Sequence, residues 1–155
     1  MTTGIPKILF YGYGNPGRQD DGLGVMLSDE IEKWSRENKL TQIDTDSNYQ
    51  LNLEDAAVIS EYDVVIFADA SGEDIPEYKL EPLIPAPTVE FTMHAVAPAF
   101  ILHLCNQVFD KTPQAFLLHI KGYEWEFMKE MTAMAQNNLI SASEYIKKYI
   151  LEKFR

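Results

Sequence analysis

The chain has 155 residues, 46% apolar and 24% charged, proportions that suit one globular domain with a sizeable core and exclude a fibrous or disordered chain. Its 24 acidic residues against 13 basic ones give a net charge of −11, which repels nucleic acid and anionic membranes and favours a small or basic partner segment. No apolar run reaches membrane-spanning length. The N-terminus lacks the charged-then-apolar order of a signal peptide. The lone cysteine, Cys105, has no internal partner, so a reducing cytoplasm is the expected compartment.

In chain order, Lys7 to Tyr11 is an apolar run of strand length that enters a loop with five glycines between positions 12 and 24. Leu23, Leu27, Ile31 and Trp34, with Met26 beside them, then predict one helix to about Glu37. A weak strand is expected over 41–46, and a helix from Leu53 to about Ser60 with Asn52 as its N-cap. Asp63 to Ala70 is the clearest strand, an unbroken apolar run of the kind covered on both faces of a parallel sheet. Pro82, Pro85 and Pro87 make Tyr78 to Thr92 extended and irregular, with room for edge strands.

A helix follows from about Pro98 to Phe109, with Phe100, Ile101, Leu104, Cys105 and Val108 as its apolar stripe. Gln114 to Lys121 is the last strong strand, stopped at Gly122. The remainder is helical from about Lys129, with a break expected at Asn137-Asn138 before a capping box at Ser141-Ala142-Ser143-Glu144. This alternation predicts an α/β fold, a single-domain α/β/α sandwich with a mostly parallel central sheet. Sites in such folds lie beyond the carboxyl ends of the strands. That rule brings the loop after the first strand, with Asp20 and Asp21, close to Asp69.

Gly12, Gly14 and Gly17 spell G-x-G-x-x-G after a strand, the dinucleotide fingerprint. A pyrophosphate would need a bare helix N-terminus there. Asp20 and Asp21 would repel it, and Pro16 removes a donor. In this reading Asp44 or Asp46 would meet the ribose. Alternatively the loop serves its carboxylates. Asp21 or Asp20, Asp69, and His94 in its loop before a helix form a mixed N/O set suited to a divalent transition metal. The same residues could instead be a helix cap, an acceptor for loop amides and a loop histidine. His103 points away from its helical stripe, His119 lies within a strand, and Cys105 falls on an apolar stripe, so all three read as structural. Ser71 lacks a G-x-S-x-G elbow. Tyr123, Trp125 and Phe127 are either core or, if exposed, a partner surface.

Tyr11-Gly12-Tyr13-Gly14-Asn15-Pro16, the acid before Gly22, the strand ending Val65-Ile66-Phe67-Ala68-Asp69-Ala70 and the histidine of Thr92-Met93-His94 together resemble the hydrogenase maturation proteases. Lys121-Gly122-Tyr123-Glu124-Trp125 and the helix after it extend the resemblance over nearly the whole chain. It implies an endopeptidase that removes a C-terminal peptide from the nickel-loaded large-subunit precursor of a nickel–iron hydrogenase. It also implies that Asp21, Asp69 and His94 are the catalytic and metal-binding residues. The family often has Glu at the position of Asp21, whose reach is shorter, and Asp20 could share the role. Nickel would come with the precursor, and another divalent metal could replace it in vitro. With no H-E-x-x-H motif and no nucleophile beside a base, the protein is expected to read the metal in its substrate. The alternatives are a small nucleotide- or dinucleotide-binding domain and a non-catalytic nickel-binding assembly protein.

Overall fold

A computed structural model describes residues 4–87 and 96–154. Among the described residues five strands form one sheet in the order β2-β1-β3-β5-β4. They are β1 (Ile8–Tyr13), β2 (Ile43–Asn48), β3 (Val64–Ser71), β4 (Tyr78–Leu83) and β5 (Gln114–Lys121). The first three and β5 run parallel, and β4 closes one edge antiparallel to β5. Four helices cover the faces: α1 (Leu23–Glu37), α2 (Asp55–Ile59), α3 (Pro98–Phe109) and α4 (Ala133–Lys153). This is the expected α/β/α sandwich. Among the described residues no helix is long and apolar enough to cross a membrane.

The two-residue period of the strands sorts their side chains into two cores. Ile8 and Phe10 of β1 join Val64, Ile66 and Ala68 of β3 against α1 and α4. Leu9, Tyr11 and Tyr13 join Val65 and Phe67 on the opposite face, against α2 and α3. Both faces of the central strands are therefore dry, which is why β1 and β3 read as unbroken apolar runs. Leu23, Leu27 and Ile31 of α1 are fully buried, each stabilising the fold by roughly 1.5–3 kcal/mol relative to an exposed position. Pro82 lies on β4, an edge strand, where the missing donor costs no ladder bond on the open side.

Several local expectations are corrected. The second strand is displaced to Ile43–Asn48, and α2 is shorter than the 53–60 span. Asn52 is not its side-chain cap; instead the buried Asp55 carboxylate accepts the Asn52 amide at 2.8 Å and the Tyr11 hydroxyl at 3.0 Å. Met26 and Val108 are exposed rather than part of their apolar stripes. The expected break near Asn137-Asn138 does not occur, because α4 runs uninterrupted from Ala133 to Lys153. Its cap is Thr132, whose hydroxyl accepts the Ala135 amide. Asn138 is buried and donates to the Lys121 carbonyl at 3.0 Å and the Tyr123 hydroxyl at 2.9 Å. A polar residue mid-helix signals a break from sequence; here it is a tether from the helix to the end of β5.

Candidate active site

The loop after β1 is shaped by close backbone contact. A Cβ on Gly24 would collide with the Ala68 carbonyl and sit 2.7 Å from that of Tyr13. Only glycine therefore lets the first turn of α1 rest on the carboxyl ends of β1 and β3. Gly14 has φ +134, and a Cβ there would strike the Asp21 carbonyl, so the loop is drawn tightly around Asp21. A 3-10 turn over Gln19–Gly22 then delivers the chain into α1.

Asp21 is held by this loop: its Oδ2 accepts the Asn15 amide at 2.9 Å. Asp69 stands near the end of β3, half-buried. Burial, reinforced by the charge of nearby Asp21, raises the Asp69 carboxyl to about 7, although the Ala70 amide and Tyr13 hydroxyl act in the opposite direction. Burial and the facing Asp69 carboxylate push the Tyr13 hydroxyl well above its ordinary value. Two carboxylates thus meet at the carboxyl end of the sheet, as the strand-end rule predicts. They are close enough for one charge to resist the other.

Asp20 is a different kind of residue. It is fully buried, and its carboxylate reaches the segment after β5. There it accepts the amides of Tyr123 (2.7 Å), Glu124 (3.1 Å) and Thr132 (2.8 Å), and the Thr132 hydroxyl (2.9 Å). Burial alone would raise its carboxyl, but these hydrogen bonds together outweigh it and hold the group below the ordinary value. Asp20 therefore ties the loop that carries Asp21 to the segment after β5, whereas the charge of Asp21 acts on Asp69.

The backbone superposes on a hydrogenase maturation protease, HycI, from Thermococcus kodakarensis, with a TM-score of 0.73 over 94% of this chain and 93% of that one. The hydrogenase maturating endopeptidase HybD from Escherichia coli gives 0.69 over 94% and 93%. The fold is that of the hydrogenase maturation endopeptidases. Identity is only 16% to the first and 17% to the second. A hydrogenase 2 maturation peptidase from the Thaumarchaeota archaeon SCGC_AB-539-E09 is similar over 93% of this chain and 97% of its own, at 16% identity and a TM-score of 0.65. No protein-family model and no curated sequence matches the chain.

Within this endopeptidase fold, His94 lies outside the described residues. Among the described residues no three His, Cys, Asp or Glu side chains converge as a metal cluster. The other candidates are accounted for structurally. His119 Nε2 lies 2.8 Å from Glu81 Oε2 across the β4–β5 pair. His103 is half-buried near the Phe100 ring, Cys105 is buried, and the Ser71 hydroxyl accepts the Glu73 amide.

Most of the loop donors that a dinucleotide would use are already taken. The Gly14 amide goes to the Asn48 carbonyl, Asn15 to Asp21, Gly17 to the Asn15 side chain and Arg18 to the Asn15 carbonyl. The amides of Asp20 and Asp21 go to the carbonyls of Glu124 and Arg18. A pyrophosphate would find this loop already closed by its own hydrogen bonds. Asp44, one of the two ribose candidates, accepts the Tyr62 hydroxyl at 2.8 Å.

Proposed function

We propose that this protein is an endopeptidase that trims the C-terminus of the nickel-loaded large-subunit precursor of a nickel–iron hydrogenase. The observation that carries the reading is the meeting of Asp21 and Asp69 at the carboxyl end of the sheet, in a fold shared with hydrogenase maturation endopeptidases. Two carboxylates and an imidazole form a donor set suited to a divalent transition metal. A cation beside the pair would relieve the burial and repulsion that raise Asp69.

In this reading nickel is part of the substrate. Asp21 and Asp69, with His94 as third ligand, would grip the precursor's ion and so hold its tail in the cleft. The ion supplies Lewis acidity at the scissile carbonyl. A carboxylate of the pair takes a proton from the attacking water and returns it to the departing amine. The same logic makes the cut conditional: a precursor without its ion offers the carboxylates nothing to close on.

The test is purified protein mixed with precursor, with and without nickel, followed by mass spectrometry. Loss of the C-terminal peptide only from the nickel-loaded form is expected, and Asp21→Asn or Asp69→Asn should abolish it. Equal trimming of both forms would refute metal reading. Nickel-dependent binding without any cleavage would make the protein a nickel-carrying assembly factor instead.

A further inference from the structure

The segment between β5 and α4 is irregular, yet it is firmly held. Asp20 grips it at Tyr123, Glu124 and Thr132. Gln19 Oε1 accepts the Glu126 amide at 3.0 Å, and Gly17 O accepts the Met128 amide at 2.9 Å. Arg18 Nε donates to the Trp125 carbonyl at 3.0 Å. The Trp125 ring lies over Gly72, just beyond β3, and over Gly122. The segment therefore bridges the loop bearing Asp21 and the strand end bearing Asp69, and forms a rim beside that pair.

This ordered rim turns its large apolar side chains outward. Phe127 is 67% exposed and Met128 96%. Met128 also has φ +59, a left-handed conformation that disfavours a long side chain. Rigid backbone under exposed aromatic and thioether groups is the composition of a partner surface rather than of a solvated loop. Around them Glu124, Glu126 and Glu130 are all exposed, outnumbering the two cations among them: Lys129, 2.7 Å from Glu126 and near Glu124, and Arg18, whose guanidinium lies 5.6 Å from the Phe127 ring centroid. The chain as a whole carries a net charge of −11.

We propose that the rim at 123–131 is the docking surface for the precursor. It would receive an apolar side chain of the partner on Phe127 and Met128, and flanking lysines or arginines on Glu124 and Glu130. The proposal rests on the endopeptidase reading and adds where the precursor is recognised apart from its metal.

The test measures trimming of the nickel-loaded precursor encoded in the same genome by wild type, Phe127→Ser/Met128→Ser and Glu124→Lys/Glu130→Lys, with thermal melting of each. Both variants are expected to raise KM about tenfold or more, with kcat within about twofold. The charge variant should also flatten the salt dependence of kcat/KM. If the apolar variant fails to fold, the charge variant alone decides. Unchanged KM in a folded variant, or a loss confined to kcat, overturns the docking surface and leaves the endopeptidase reading standing. No trimming by the wild type sinks both.

Discussion

Replacing Asp69 by Asn should stabilise the metal-free protein, and increasingly so as the pH rises. Asp69 ionises at about 7 in the folded protein against an ordinary 3.8. A carboxyl with a raised folded pKa is no burden below 3.8, where both states are protonated. It disfavours the fold progressively as pH climbs to about 7, and by a constant amount above that. The full difference of about three pH units corresponds to ~4 kcal/mol above pH 8, and roughly 2–3 kcal/mol of it develops between pH 5 and pH 8. Asn keeps the size and an acceptor for Tyr13 while removing the buried charge. The variant should therefore gain about 2–4 kcal/mol at pH 8, or roughly 5–10 °C in Tm, and clearly less at pH 5. Urea unfolding in the presence of a chelator, at both pH values, measures this directly. An equal gain at both pH values, or a less stable variant at pH 8, would refute the argument that Asp69 is held ionised against its surroundings.

Asp21→Asn removes the second cause of that shift, so it should give a smaller gain, and the double variant should gain less than the sum of the two in the same urea series. Asp20→Ala strands three backbone amides and should cost about 3–5 kcal/mol in denaturant unfolding. Because the Asp20 carboxyl is held below its ordinary value, its stabilisation is present above about pH 4 and lost as pH falls through the folded value. The acid-unfolding midpoint of Asp20→Asn should therefore lie at higher pH than wild type when followed by circular dichroism. Gly14→Ala combines φ +134 with a collision at the Asp21 carbonyl, and should cost more than about 2 kcal/mol by thermal melting. Asn138→Ala should cost about 1–3 kcal/mol by the same measurement, through the carbonyl and hydroxyl it leaves unpaired.

What the sequence makes legible follows the physics of each signal. β3, β5, α1 and α3 are long periodic or continuous apolar runs buried by neighbours on the expected sides, and their spans agree closely with the structure. The elements misread are those decided by distant partners. Asn138 looks like a helix breaker until Lys121 and Tyr123 are seen to take its donors. Asn52 looks like a cap until Asp55 turns back on it. The site shows the same division. The strand-end rule is enough to bring Asp21 and Asp69 together. Two successive acids on one turn, however, point in different directions, and nothing local tells which meets Asp69. That choice is made by residues more than a hundred positions away, at Tyr123 to Thr132.

That distance has a consequence for how the protein is made. Asp20 and Thr132 are 112 residues apart in the chain, so the loop carrying Asp21 cannot acquire its final shape while synthesis is confined to the first two-thirds of the sequence. The strands β1, β2 and β3 can pair as soon as they emerge, because their ladders with one another need nothing beyond Ser71. Closing the loop on the segment after β5 brings together distant parts of the chain and belongs to the late, slow part of folding. A nascent or C-terminally truncated chain would then hold a half-built sheet with its two carboxylates unaligned. Only when the segment at Tyr123 to Thr132 has been made can Asp20 be gripped and the loop that carries Asp21 be closed.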